Sequence, residues 1–153
     1  MLVFQGGLNL MSTHQEKDPI GLLLSRTYFV HKKRVTHLLQ DYGITPEQYG
    51  MLEQLYQNEG ITQKKLSELH GKDQTSVGKT LERLEHKDLI IRSTDPVDRR
   101  AILLRLSEEG KELYLQVVPL MNNMDQSLRE LITPEGAEEL AVLLNKIYEG
   151  ISS

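Results

Sequence analysis

Apolar or amphipathic side chains recur at Ile20, Leu24, Tyr28, His31, Val35, Leu38 and Tyr42, the 3.6-residue period of one helix face. Asp18 and Pro19 read as the N-cap and first residue of this helix, and Gly43 as the glycine that stops it. The stripe is longer than one small partner element can cover. Thr45-Pro46-Glu47-Gln48 opens a second helix: threonine caps, proline takes the first position and Gln48 completes a capping box. Tyr49, Leu52, Leu55 and Tyr56 carry it to Asn58-Glu59-Gly60. Thr62 caps a short helix containing Leu66 and Leu69 that ends at His70-Gly71, and Asp73 caps a fourth with Val77, Leu81 and Leu84 on its apolar face.

After Lys87 the period drops to about two, the signature of strands. Leu89–Ser93 and Ala101–Leu106 are the candidates, joined by Thr94-Asp-Pro-Val-Asp-Arg-Arg100, a loop with Asp and Pro turn signals that is expected to project as a flexible tip. Ser107-Glu-Glu-Gly110 caps a fifth helix with two carboxylates facing the positive end of its dipole. Its apolar set is Leu113, Val117, Leu120, Met124, Leu128 and Leu131, and Pro119 inside it predicts a kink or break. Thr133-Pro134-Glu135 starts a sixth helix holding Leu140, Leu143, Leu144 and Ile147. The pattern predicts a mainly α fold with a small β-hairpin wing: a winged helix-turn-helix with N- and C-terminal dimerisation helices. The expected divisions are an N-terminal tail over 1–17, a dimerisation helix over 18–44, a DNA-binding domain over 45–106 and dimerisation helices over 107–153.

Charge changes the picture through its distribution. The chain has a formal net charge of −4, which by itself argues against nucleic acid. Residues 1–61 carry five basic and six acidic side chains, residues 62–106 ten and seven, and residues 107–153 three and nine. A basic middle between acidic ends suits a chain that presents one segment to phosphates.

The outward face of the fourth helix holds Thr75, Lys79, Glu82, Arg83 and His86, flanked by Ser76 and Gly78. A recognition helix reads base edges from its N-terminal end, with donors such as Lys suited to guanine. A solvated polar face accounts for the same residues, and Glu82 counts against DNA reading. The wing adds independent weight. Asp98-Arg99-Arg100 puts two guanidiniums on a protruding loop beside a carboxylate that can orient one of them. Such an arginine suits a narrow minor groove, where the potential is most negative, although an exposed ion pair without consequence is the bland account.

Together Thr62-Gln-Lys-Lys-Leu-Ser-Glu-Leu69, the run from Asp73 to Ile90, Asp95-Pro-Val-Asp-Arg-Arg100 and Leu106-Ser-Glu-Glu-Gly110 resemble the signature of the MarR family of transcription regulators. The resemblance covers about residues 19–151. It implies a cytoplasmic homodimer with interleaved terminal helices that binds a palindromic site in double-stranded DNA, acts as a repressor and is released by a small effector or by oxidation. By position it implies recognition-helix contacts from Thr75, Ser76, Lys79 and Arg83, and a wing contact from Arg100 braced by Asp98. Lys64, Lys72 and Arg99 complete the candidate DNA-binding set. Asp88 departs from the pattern, because glycine commonly precedes the residue equivalent to Leu89. A winged helix that binds protein instead of DNA is the rival reading.

Other chemistry finds little footing. The serines have no His/Asp constellation, there is no Gly-rich phosphate loop, and the paired carboxylates sit at helix starts, so no enzyme is expected. No metal or other cofactor is expected either: the five histidines form no His-x-x-x-His pair and there is no cysteine. Without cysteine, thiol oxidation is chemically closed as a trigger; oxidation of Met51, Met121 or Met124 stays open in principle, but buried thioethers are poor fast sensors, so a small-molecule effector is the expected trigger. Tyr28, His31, Tyr49 and Met121 are its candidate contacts, where the first, second and fifth helices meet, although core and dimer packing explain them equally. No apolar run approaches the ~20 residues of a membrane span. The opening Met1-Leu-Val-Phe-Gln-Gly-Gly7 resembles a vector-derived protease-site remnant, with Met11 as the native start.

Overall fold

The computed structural model describes residues 17–70 and 73–152; Lys72 and the vector-like opening lie outside them. Among the described residues the chain forms six helices and three strands. The helices are α1 (Ile20–Gln40), α2 (Pro46–Gln57), α3 (Gln63–His70), α4 (Gln74–His86), α5 (Glu108–Ile132) and α6 (Pro134–Ile151); the strands are β1 (Ile61–Thr62), β2 (Ile90–Thr94) and β3 (Ile102–Leu106).

Local chemistry sets most boundaries. Thr45 and Gln48 form the reciprocal capping box, with Pro46 first in α2. Thr62 Oγ1 accepts from Lys65 N, and Asp73 Oδ1 accepts from Ser76 N at 2.8 Å. The strands begin one residue later than expected, and Asp18 and Pro119 act differently from their sequence reading. Asp18 does not cap α1; Pro19 precedes the helix without a side-chain bond, and Asp18 instead pairs with Arg26 at 2.9 Å. Pro119 does not break α5, which runs unbroken from Glu108 to Ile132. Proline removes only the bond to Leu115 O, and both residues lie on the exposed face, where water can serve that carbonyl.

The sheet is antiparallel in the order β1-β3-β2, with Ile61 opposite Leu104 and Ile90 opposite Leu106. Strand β1 was not foreseen. It is two residues long, but it fastens the start of α3 to the wing. The core gathers beneath the sheet and the helix-turn-helix: Leu39, Met51, Leu52, Leu55, Leu66, Val77, Leu81, Leu84, Leu104 and Val117 are each almost wholly buried. Leu69, beside Leu66 in the short helix, stays half exposed.

The turn from α4 into β2 uses the departure at Asp88. Its φ is +58°, the left-handed conformation that glycine adopts most easily. Ser107 locks this corner to α5. Its amide donates to Leu89 O at 3.0 Å, its hydroxyl donates to Asp88 O at 2.6 Å, and its Oγ accepts from Gly110 N. A Cβ at Gly110 would lie 2.0 Å from Leu89 O, so only glycine lets the first turn of α5 approach the strand.

Candidate nucleic-acid interface

Helix α4 turns Val77, Leu81 and Leu84 into the core, and the same period leaves Thr75, Ser76, Lys79, Glu82 and Arg83 exposed. At its start the Asp73 carboxylate is held below its ordinary pKa, chiefly by the hydrogen bond from Ser76 N. A carboxylate therefore occupies the positive end of the helix dipole, the place where a phosphate would otherwise bind. Ser76 Oγ also donates to Asp73 Oδ2 at 3.2 Å, which uses its proton and leaves its lone pairs to accept. Thr75, Lys79 and Arg83 are exposed on this face without such a tie to Asp73.

The wing tip is closed by its own aspartates. Asp95 Oδ1 accepts from Val97 N and Asp98 Oδ1 from Arg100 N, while main-chain bonds join Asp95 N to Ala101 O and Ala101 N to Asp98 O. These bonds shape what the sequence suggested as a flexible tip. Arg100 leaves it with its side chain 94% exposed and Nε 3.5 Å from Asp98 Oδ1. That contact orients the guanidinium and leaves it accessible. Lys64, Lys79, Arg83 and Arg99 are exposed and have no ion-pair partner among the described residues; Glu82 has none either.

A cleft of about 550 Å³ joins three elements: Thr62, Gln63 and Lys64 at the start of α3, Gln74 at the start of α4, and Asp98, Arg100 and Ala101 of the wing. Lys64, Asp98 and Arg100 thus meet on one concave surface, whereas Thr75, Ser76, Lys79, Arg83 and Arg99 are not among its lining residues. Two further residues, Arg92 and Lys87, fix the parts and were not singled out from sequence. Arg92 on β2 reaches Gln63 and Glu85, and Lys87 Nζ donates to Gly43 O and to Gln48 Oε1, tying the end of α4 to the α1–α2 turn. The available signal was parity: Arg92 falls on the same side of its strand as buried Ile90.

The four effector candidates are not brought around one cavity. Tyr49 is buried, stacked 6.0 Å from Tyr114, which in turn meets Tyr56 at 4.6 Å. Desolvation pushes the Tyr49 phenol up to about 12. Met121 packs against the core. Tyr28 lies on one flank of α1 with Phe29, Lys33 and His37, whereas His31 faces another, about 400 Å³ in volume, with Arg26, Val30, Arg34, Met124 and Leu128. Apolar, contiguous packing positions and ligand positions look alike in sequence, and here packing claims Tyr49 and Met121.

A helix-turn-helix followed by a hairpin whose arginine closes a shared cleft defines a winged helix-turn-helix protein. The MarR family profile matches residues 44–102, the span from α2 to the start of β3. Residues 44–102 thus carry the MarR-family pattern. It is 31% identical over 106 residues to a protein of Thauera aromatica named for transcriptional regulation of the hcr operon, an alignment covering 69% of this chain and 64% of the relative's length. The structure is similar to S. aureus MepR in complex with DNA, with a TM-score of 0.84 at 26% identity, covering 88% of this chain and 100% of the other. It is also similar to Bordetella bronchiseptica BpsR, described for regulation of its DNA binding by 6-hydroxynicotinic acid, with a TM-score of 0.79 at 27% identity over 88% and 96% of the two chains. Among the described residues no helix is long and apolar enough to cross a membrane.

Proposed function

We propose that the chain is a cytoplasmic, sequence-specific DNA-binding transcription regulator that represses from a palindromic operator as a homodimer. The observation that carries the reading is the cleft in which Lys64, the start of α4 and the wing's Arg100 meet. Exposed cations on a recognition helix and a wing are what phosphate and base-edge contact require. A protein-binding winged helix has no need of them, and the likeness to MepR in its DNA complex supports the same choice. Thr75, Lys79 and Arg83 are assigned to base edges, and Lys64, Lys72, Arg99 and Arg100 to phosphates and the minor groove.

Dimerisation follows from what a single copy leaves uncovered. Ile20, Phe29 and Val30 on α1 and Val142, Leu143, Tyr148 and Ile151 on α6 are all exposed. The terminal segments 18–44 and 107–153 would pair about a two-fold axis, setting two recognition helices ~34 Å apart. The effector is assigned to the His31 flank of α1, where an apolar floor of Val30, Met124 and Leu128 lies beside Arg26 and Arg34. That lining suits a small aromatic anion, and the ligand dependence described for BpsR supports an effector of this class.

The test is anisotropy titration of a duplex that the chain itself recovers from a randomised library. Arg100→Ala is expected to weaken binding and lower the salt slope by about one, because a groove-inserted cation displaces counterions. Lys79→Ala is expected to relax base preference by about 1–3 kcal/mol at one position. Unchanged affinity and slope in Arg100→Ala would remove the wing from the interface.

A further inference from the structure

Arg92 stands at a strand position that faces the helices, and it is half-buried. Its guanidinium meets two of them. Nη2 donates to Gln63 Oε1 at 2.7 Å, while Nε lies 3.4 Å from Glu85 Oε2, an ion pair without hydrogen-bond alignment that leaves this buried nitrogen unbonded. Gln63 is the first residue of α3. Its other amide atom, Nε2, would lie 3.3 Å from a Cβ on Gly78, so the glycine in α4 makes room for the amide against the recognition helix. Gln63 also lines the cleft that Arg100 closes. One guanidinium therefore links β2, α3 and α4 behind the interface.

Stability alone explains this poorly. A buried nitrogen lacking a hydrogen bond carries a desolvation cost that an aliphatic side chain at the same position would avoid. What the arginine supplies is direction, since its planar fork holds two partners at fixed angles. Arg92 pairs with Leu104 across the hairpin, so its orientation is carried along both strands to the tip.

We propose that Arg92 is a positioning residue which, through Gln63 and Glu85, sets the wing relative to α4 so that Arg100 and the recognition helix engage one duplex together. The proposal rests on the DNA-binding reading above. The hairpin can still form without the bridge, but its tip then reaches the groove at an unselected angle, and the contribution of Arg100 is lost.

A double-mutant cycle tests this on the library-selected duplex. If the unmodified chain recovers no duplex, the DNA-binding reading fails before the cycle begins. Given a duplex, Arg92→Ala is expected to weaken binding about tenfold alone but less than about twofold in an Arg100→Ala background, because the two act through one contact. Arg92→Lys keeps a charge near Glu85 but cannot span both partners, and should remain closer to Arg92→Ala than to the unmodified chain. Additive losses, or full affinity in Arg92→Ala, would overturn the proposal. Should Arg92→Ala fail to fold, Gln63→Met removes the acceptor while conserving volume. The same cycle with Arg100→Ala must then show the same non-additivity, and additivity there overturns the proposal equally.

Discussion

Among the glycines of the described residues Gly110 has the least room, because the space for a Cβ is already filled by the Leu89 carbonyl. Gly110→Ala must push the first turn of α5 off the strand or distort Asp88, which already has a positive φ. The expected loss is about 3 kcal/mol, read from the urea midpoint. A loss under about 0.5 kcal/mol, the range of an indifferent surface change, would show that the corner is soft. Tyr49 gives a second handle. Its phenol ionises near 10 when unfolded and at about 12 in the fold, where burial opposes the charged form. The raised value means that its contribution to stability is complete below pH 10 and is lost as pH rises from 10 through 12. Over that window the thermal midpoint should fall less for Tyr49→Phe than for the unmodified chain.

At the scale of elements, the caps and periods were legible and the cross-links were not. Thr45 with Gln48, and Asp73 with Ser76, act within four residues of sequence, and Val77, Leu81 and Leu84 repeat at one face; such signals survive without tertiary context. Strand β1 had no such signal, since two residues show no alternation and Ile61–Thr62 is a strand only because β3 lies beside it. Arg92, Lys87 and Gln63 join residues 29 to 44 positions apart, which no local pattern encodes. The exposure of Thr75, Lys79 and Arg83 was legible because it follows from the same period that buries Val77, Leu81 and Leu84. The effector candidates were not, because aromatic packing in α2 and α5 leaves the same trace. Pro119 does not break its helix: proline costs a helix one bond, and a solvent-facing position absorbs that. Pro119→Ala should therefore restore the bond to Leu115 O and raise stability by up to about 3 kcal/mol, measured as an increase in thermal midpoint. A lower midpoint would mean that the proline side chain packs against something in the assembled protein.

For the whole molecule, the exposed apolar faces of α1 and α6 are the surfaces proposed for the dimer. Leu143 and Val142 are 50% and 66% exposed in the single copy, far from the winged lobe's core. Leu143→Glu should hold the protein monomeric at micromolar concentration in sedimentation, with the helical circular dichroism of the lobe retained. Its operator affinity should fall steeply, because half-sites joined through one protein bind as a single event. A dimer that survives Leu143→Glu would move the interface away from α6.

The joint at Ser107 and Gly110 has a mechanical consequence. Most loops between a reading head and its frame act as universal joints, but here the wing ends and α5 begins with Leu89 O, Asp88 O and Ser107 locked together. The lobe therefore has no free swivel of its own there, and α5 works as a lever arm. At about 1.5 Å per residue its 25 residues span about 37 Å, so a tilt of about 5° at the far end swings the wing root by about 3 Å. In the proposed dimer two such arms on one two-fold axis would double the displacement between the heads, and an effector seated as proposed beside α1 would act on both wings through small shifts of its neighbours.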